Sequence, residues 1–177
     1  VFQFTAESHS ATLPTNRHCT IEITNLSTVY CLVNPKVHME SGFPFNPPQP
    51  TIRTTKTELC SFIKDDNTAT GTVGVLTYEL FHMRERRCSE LMAIMFSVPF
   101  DYNIYKNWLG VGIFQHTHAC DKKLFHSMYN DKDFTSFVRQ EATGSGLLFR
   151  GRGLDVRACM CDVGKAIVKV ELYDKMG

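Results

Sequence analysis

Apolar and polar residues alternate along much of this chain with the period of two that half-buried β-strands show. The pattern is clearest in residues 155–161 and 165–173, and residues 20–24 repeat it over a shorter run. Residues 28–34 are rich in β-branched and apolar side chains, which also favours a strand. All four segments are predicted to be strands. The positions expected to face the interior are Ile21, Ile23, Val156, Ala158, Met160, Ala166, Val168, Val170 and Leu172.

Segments rich in proline, glycine or aspartate separate these runs. Residues 41–50 (SGFPFNPPQP) cannot form a central strand because proline has no N–H to donate. Residues 65–71 and 142–146 carry turn-forming side chains. Only residues 120–131 have a helical pattern, in which Asp121 can cap the first turn. The apolar stripe of this predicted helix consists of Leu124, Phe125 and Met128. Short strands with regular turns predict a β-sandwich.

Length, charge and cysteine usage narrow the function classes. The 177 residues suffice for one domain, and a net charge of +1 gives no field to attract nucleic acid. The longest apolar runs fall far short of the roughly 20 residues of a membrane helix. The seven cysteines are odd in number and lack a paired-finger spacing, which favours free thiols in a reducing compartment. We therefore expect a cytoplasmic location, with secretion as the alternative because a leader could have been removed before Val1.

No catalytic motif is present, and we predict neither an enzyme nor a cofactor. His116, His118 and Cys120 would share one side of an extended chain and offer three metal ligands. No fourth ligand is in view, so a strand end entering a solvated loop is the favoured interpretation, and no metal site is predicted. The arginines of residues 82–88 (HMRERRC) suit contact with anionic headgroups, although a solvated turn between strands is favoured.

Aromatic residues are concentrated in residues 95–108 (MFSVPFDYNIYKNW). Residues 95–98 suit a buried strand, whereas the later rings alternate with polar residues and are expected at a surface. Tyrosine and tryptophan settle at membrane interfaces, and ring faces attract a quaternary ammonium such as choline. The other interpretation is that the rings pack between two sheets. The aromatic residues of this stretch are Phe96, Phe100, Tyr102, Tyr105 and Trp108.

The same stretch, preceded by ATGTVGVLTYEL and followed by LGVGIF, closely resembles the central block of actinoporins, the pore-forming cytolysins of sea anemones, and of their vertebrate relatives. The similarity can be traced with gaps from Asn16 to Tyr173, and TIEITN, YCLVNP and FNPPQPT are most similar to the vertebrate branch. The resemblance implies a mostly β fold, an actinoporin-like β-sandwich flanked by one or two short helices. This domain is expected to occupy residues 16–177, after a short flexible extension of residues 1–15.

The resemblance also implies a pocket for the phosphocholine headgroup of a membrane phospholipid. The positions that match the family's pocket are Ser41, Val73, Ser97, Pro99, Tyr105 and Tyr129. Phe125 and Asn130 stand where the family has further tyrosines and complete the expected pocket, while Ile104 and Leu109 stand where actinoporins carry membrane-dipping tryptophans. Contacts with the membrane surface are expected from Phe100, Tyr102 and Trp108. Oligomerisation on membranes is a further expectation.

Pore formation in the family requires an N-terminal amphipathic helix about as long as the bilayer is thick. Pro14 would break a helix starting at Val1, and the residues before it span roughly 20 Å of a hydrocarbon core about 30 Å thick. Either a lytic segment has been removed or the protein binds without perforating, and in both cases the sequence as given is expected not to form pores. The family's Arg-Gly-Asp element is absent, since residues 149–155 read FRGRGLD. Two other functions stay open: a glycan-binding lectin on the same sandwich, with Phe125 and Asn130 marking a shift toward sugars, and a cytosolic interaction module without a ligand.

Overall fold

The computed structural model describes residues 5–132 and 135–175, which form two helices and twelve strands. In chain order the elements are α1 (Ala6–Ser10), β1 (His18–Asn25), β2 (Tyr30–Ser41), β3 (Phe43–Asn46), β4 (Thr51–Ile52), β5 (Thr57–Ile63), β6 (Thr72–His82), β7 (Arg87–Val98), β8 (Trp108–Gln115), α2 (Lys122–Asn130), β9 (Phe137–Glu141), β10 (Leu147–Arg150), β11 (Leu154–Met160) and β12 (Lys165–Asp174).

The strands form two six-stranded sheets that face each other. The first sheet has the spatial order β10-β11-β12-β1-β5-β3, and the second has the order β4-β2-β6-β7-β8-β9. Strands β1 and β12 are parallel neighbours, and the other described pairings are antiparallel. Helix α1 packs on the outer face of the first sheet and α2 on the outer face of the second. The predicted β-sandwich with flanking short helices is confirmed.

The inner faces of the two sheets meet in one hydrophobic core. Every position that the period of two predicted to face inward belongs to this core and is at most 2% exposed. Phe62 of β5 and Phe96 of β7 are fully buried, and their ring centroids lie 4.7 Å apart across the sandwich. A ring pair of this kind adds about 0.5–1.5 kcal/mol beyond the burial of its area. The two sheets are therefore joined by apolar contacts that the sequence pattern specifies.

A second, smaller core lies between the second sheet and α2. The Asp121 carboxylate caps the helix by accepting a hydrogen bond from the backbone N–H of Leu124 at 3.0 Å. The predicted stripe of Leu124, Phe125 and Met128 is buried against β6, β7 and β8, so the predicted helix is confirmed. Because β7 is covered on both faces, its residues 91–98 are all buried, and the sequence there lacks the alternation of apolar and polar residues seen in half-buried strands.

Proline restricts residues 41–50 to the margins of the sandwich. Strand β3 is the edge strand of the first sheet, and it ends at Asn46, before Pro47 and Pro48. The chain then reaches β4, which is the edge strand of the second sheet. An edge strand tolerates proline because one side of its backbone has no strand to bond. Apart from Ser41, the last residue of β2, the segment contributes only to edge strands and loops, so the expectation that its prolines cannot lie in a central strand is confirmed.

Two predicted loops also lie at the surface. Residues 83–86 form the turn between β6 and β7. After Gln115 the chain leaves β8 and turns, so that the His118 ring lies 4.9 Å from the Phe114 ring and the Cys120 Sγ approaches the Val75 carbonyl oxygen at 3.7 Å. Within residues 5–132 and 135–175, no group of three or more His, Cys, Asp or Glu side chains is placed to hold a metal ion. Neither helix in this part of the chain is long and apolar enough to cross a bilayer.

Helix α1 rests on an unusually polar part of the first sheet. Its Thr5 cap accepts a hydrogen bond from Ser8 N, and Glu7 pairs with Lys169 of β12 at 2.7 Å. On the same outer face, His18 and Thr20 of β1 are completely buried. Among the described residues, neither imidazole nitrogen of His18 nor the hydroxyl oxygen of Thr20 has a hydrogen-bond partner. Unsatisfied buried polar groups are costly, so this face of the sheet is a weak point in an otherwise apolar fold.

We predict that His18 makes the fold sensitive to mild acid. Burial, followed by the neighbouring charges of Lys165 and His9, lowers the pKa of His18 from 6.5 to about 4. The unfolded chain then binds more protons than the folded one as the pH falls from 6.5 towards 4, so stability present above pH 6.5 is lost across this window. The free energy of unfolding should fall by up to about 1.4 kcal/mol per pH unit, measured by urea titration.

The matched control is His18→Leu, which fills a similar volume without a titratable group. Its stability should fall less steeply than that of the wild type over the same pH range. Parallel pH profiles for the two proteins would show that His18 does not carry the acid sensitivity.

Candidate functional site

Three neighbouring strands place their end residues in one row on the outer face of the second sheet. Ser41 of β2 is opposite Val73 of β6, and Val73 is opposite Ser97 of β7. The inward neighbour Phe96 belongs to the core, so Ser97 points away from it. The strand register therefore sets two hydroxyl groups on either side of an apolar side chain.

The loop before β6 closes one side of this row. Gly71 approaches the end of β7 so closely that a Cβ atom there would lie 1.9 Å from the Val98 carbonyl oxygen. Only glycine permits this approach, which brings residues 69–71 beside Pro99. Gly71, the first glycine in ATGTVG, thus has a local packing function.

A turn stabilised by Asp101 presents the exposed rings. The Asp101 carboxylate accepts a hydrogen bond from Asn103 N at 2.9 Å, and the backbone carbonyl oxygen of Asp101 accepts one from Tyr105 N at 3.0 Å. These bonds fold residues 101–105 back on themselves and leave Tyr105 57% exposed. Phe100 at the start of the turn is also exposed. This turn explains why aromatic residues concentrate where the chain bends.

Helix α2 supplies the opposite wall. The rings of Phe125 and Tyr129, one helical turn apart, stack with centroids 5.5 Å apart and an interplanar angle of 18°. Arg139 of β9 donates to the carbonyl oxygens of Met128 at 2.8 Å and Asp131 at 2.9 Å, which satisfies the end of the helix. The position of Tyr129 is thereby fixed from a neighbouring strand.

These elements enclose a pocket of about 470 Å³, which we call the aromatic pocket. The structure brings together all the residues that the sequence assigned to a headgroup site: Ser41, Val73, Ser97, Pro99, Tyr105, Phe125, Tyr129 and Asn130. Sequence reasoning missed further lining residues, namely Ala69, Thr70, Gly71, Asp101 and His126. Gly71 and Asp101 are turn-forming residues, so the sequence indicates turns at both places. It does not indicate that the two turns line the same pocket.

The pocket combines apolar surface with hydrogen-bonding groups that are free for a ligand. The hydroxyls of Ser41, Ser97, Tyr105 and Tyr129 make no hydrogen bond with another described residue. The Asp101 carboxylate is the one acidic group among the lining residues. Rings and a carboxylate attract a cation, while hydroxyls donate to an anion. The arrangement therefore suits a small zwitterion.

Arg17 holds the aromatic turn from the other sheet. Its guanidinium group donates to the carbonyl oxygens of Pro99 at 3.1 Å and Phe100 at 2.8 Å. It also lies over the rings of Phe100, 5.5 Å from the centroid, and Tyr102, at 4.7 Å. Arg17 directly precedes β1, so the contact joins the first sheet to the pocket. Sequence reasoning missed it because the partners are more than 80 residues away.

A carboxylate between two imidazoles ties α2 to β2 beside the pocket. Glu40 lies 2.7 Å from the Nε2 of His38 and 3.1 Å from the Nε2 of His126. Partial burial would raise the pKa of Glu40, but the hydrogen bond from His38 and the charges of Lys122, His126 and His38 outweigh it and lower the pKa. Glu40 therefore stays ionised in mildly acidic solution and keeps His126 at the pocket rim.

The residues predicted to touch a membrane surface occupy different environments. Phe100 is 37% exposed and lines the aromatic pocket. Tyr102 is half-buried, and its hydroxyl donates to Asn107 at 2.7 Å. Trp108 is half-buried as the first residue of β8, between Ser97 and Glu141. Ile104, at 69%, is the most exposed apolar side chain of the turn. Membrane contact by Phe100, Tyr102 and Trp108 stays a prediction.

Comparison with known proteins places this geometry in a family. The model of the sea anemone cytotoxic proteins matches residues 44–174, which include most of the sandwich and all but Ser41 of the predicted headgroup residues. The chain belongs to this family. These proteins are the actinoporins, so the resemblance seen in the sequence is confirmed.

Individual relatives cover different parts of the chain. DELTA-alicitoxin-Pse1b of Phyllodiscus semoni is 35% identical over 86 residues, 47% of this chain but only 35% of the toxin. Bryoporin of Physcomitrium patens is 28% identical over 157 residues, 89% of this chain and 84% of its own. The crystal structure of the lipid binding protein Nakanori superposes with a TM-score of 0.70 at 11% identity, covering 96% of this chain and 79% of Nakanori. The likeness in fold therefore covers nearly all of the chain.

The cytosolic location favoured by the cysteine count gains no support from these relatives. All seven cysteines are unpaired in the structure, but the relatives include proteins named as toxins. The cytolytic actinoporins are not enzymes, in agreement with the lack of a catalytic motif.

We predict that Arg17→Gln loosens the aromatic turn without unfolding the sandwich. The variant loses charge-assisted hydrogen bonds and ring contacts at a partly exposed site, which should cost about 1 kcal/mol and lower Tm by roughly 2–4 °C. Hydrogen exchange should become faster for the amides of residues 103–105 and stay slow in the centre of β7. Arg17→Lys keeps the charge but loses the planar fork, so its amide exchange rates in the turn should lie between those of the wild type and those of Arg17→Gln. Unchanged exchange in the turn would contradict this function of Arg17.

Proposed function

We propose that this protein binds membranes by holding a phosphocholine headgroup in the aromatic pocket. The convergence of all eight headgroup residues implied by the actinoporin resemblance on one pocket is the observation that carries the proposal. Family membership supports it, as does the likeness in fold to a structure described as a lipid binding protein. From membership of the same family, we also propose that the protein oligomerises on the membrane.

The chemistry of the pocket matches the two charges of the headgroup. Tyr129 and Tyr105 offer ring faces to the quaternary ammonium, the nearly buried Phe125 backs the Tyr129 ring, and Asp101 adds a negative charge at the same rim. The Ser41 and Ser97 hydroxyls, at the ends of neighbouring strands in the row, would donate to the phosphate. With a net charge of +1 the chain has little general attraction for membranes, and salt at physiological strength screens that charge within about 8 Å. Affinity must therefore come from the pocket.

We predict that Tyr105→Ala weakens binding to phosphatidylcholine vesicles by about fivefold, because a desolvated cation–π contact is worth on the order of 1 kcal/mol. Tyr105 is exposed, so the variant should keep the wild-type melting curve. Binding is measured by vesicle co-sedimentation at physiological salt, and soluble phosphocholine should compete. Tyr105→Phe should retain most of the affinity, since it keeps the ring.

Arg86→Glu is the control for a purely electrostatic contact, because Arg86 is exposed in the turn between β6 and β7. This charge reversal should change binding to zwitterionic vesicles much less than Tyr105→Ala does. Vesicles of phosphatidylethanolamine, whose headgroup lacks the methyl groups, should bind more weakly. If Arg86→Glu abolishes binding while Tyr105→Ala binds normally, the basic turn is the contact surface and the pocket proposal is wrong.

A further inference from the structure

A second pocket, of about 790 Å³, lies at the opposite end of the sandwich and has no part in the proposed headgroup site. We call it the arginine pocket because Arg150 and Arg152 line it. Strand β7 reaches both pockets, with Ser89 in the arginine pocket and Ser97 in the aromatic pocket. Eight residues of extended chain separate these serines by roughly 26 Å. The two pockets are thus separate sites.

The turn that carries both arginines is held in place by its glycines. A Cβ atom on Gly151 would lie 2.6 Å from the Ile113 side chain, and one on Gly153 would lie 2.4 Å from the Tyr30 hydroxyl. The Gly151 carbonyl oxygen also accepts a hydrogen bond from Lys175 Nζ at 2.8 Å. The alternating Arg-Gly-Arg-Gly sequence thus packs the glycines against the sandwich and leaves the arginine side chains outside.

Both arginines are available to a ligand. Arg150 and Arg152 are exposed, and neither guanidinium group forms an ion pair or hydrogen bond with another described residue. Among the residues that the structure describes, Glu90 is the one carboxylate lining the pocket. Two guanidinium groups on one short turn favour an anion, because each can donate a pair of parallel hydrogen bonds to a carboxylate or sulfate.

The rest of the lining is suited to hydroxyl groups. Ser89, Gln115, Thr117 and Ser136 bring uncharged donors and acceptors to the pocket, and none of these four side chains is hydrogen-bonded to another described residue. The Phe114 ring is nearly buried beneath His118, and Phe149 is 7% exposed. The pocket therefore lacks the apolar surface that a lipid chain needs. Glu90 can accept from a sugar hydroxyl but would repel the closely spaced charges of a polyphosphate or nucleic acid.

We propose that the arginine pocket binds an acidic glycan, with Arg150 and Arg152 on the carboxylate or sulfate and the hydroxyl and amide groups on the sugar ring. The pocket volume suits one or two sugar units. Because the site lies at the far end of β7, a protein bound to a membrane through the aromatic pocket would present it away from the bilayer. The glycan site itself does not depend on the headgroup proposal.

The test is isothermal titration of the full chain with sialyllactose, with a heparin-derived tetrasaccharide and with neutral lactose, all at physiological salt. At least one acidic sugar should bind at least tenfold more tightly than lactose. Arg150→Ala and Arg152→Ala should each weaken that binding by about tenfold. Arg150→Lys should recover part of it, since lysine keeps the charge without the fork. Melting curves should stay unchanged because both side chains are exposed.

Two control variants make the outcome decisive. Arg84→Ala removes an exposed arginine from the neighbouring turn and changes the net charge equally, so an equal loss would show general charge attraction and overturn the site. Tyr105→Ala should leave sugar binding intact. If Tyr105→Ala abolishes sugar binding while the Arg150 and Arg152 variants retain it, the glycan binds in the aromatic pocket and this proposal is wrong. Failure of all three sugars to bind would also overturn it, without bearing on the headgroup proposal.

Discussion

The register of β7 is the constraint on which both the core and the aromatic pocket depend. Because successive side chains of a strand point to opposite faces, Phe96 and Val98 enter the core between the sheets while Met95 and Ser97 face the side covered by α2. A slip of one residue would exchange the two sets. The contact between Phe62 and Phe96 resists such a slip, so an apolar contact inside the sandwich also fixes the position of a pocket hydroxyl.

The strands and the main helix could be predicted because their signals are local. Alternation in residues 155–161 and 165–173 identified the inward side chains directly, and Asp121 with the stripe of Leu124 and Met128 identified α2. Helix α1 has no such stripe, since its five residues include serine, histidine and glutamate, and it is held by Thr5 and by an ion pair with β12. Short elements that depend on tertiary partners leave little pattern in the sequence.

The pocket shows the other limit. Its eight expected residues came from family resemblance, because no periodicity links Ser41 on β2 with Tyr129 on α2; only the folded sheet brings them together. The residues that position the pocket were not foreseen. Arg17 acts on carbonyl oxygens of a loop far along the chain, and Arg139 acts on the end of α2. Every residue type has a backbone carbonyl oxygen, so the sequence does not show which residues will accept these hydrogen bonds.

The elements that connect the two pockets are tightly packed, and this decides whether binding at one pocket can affect binding at the other. Strand β7 reaches both pockets, and its residues 91–98 are packed on both faces. The segment from His118 to Asn130 also borders both pockets, and it is fixed by the Asp121 cap, the contact of His126 with Glu40 and the hydrogen bonds of Arg139. Coupling between sites requires an element with two packed arrangements. A strand buried in two dense cores resists a second arrangement. Occupation of one pocket should therefore leave the affinity of the other unchanged, and the sandwich acts as a rigid spacer between them.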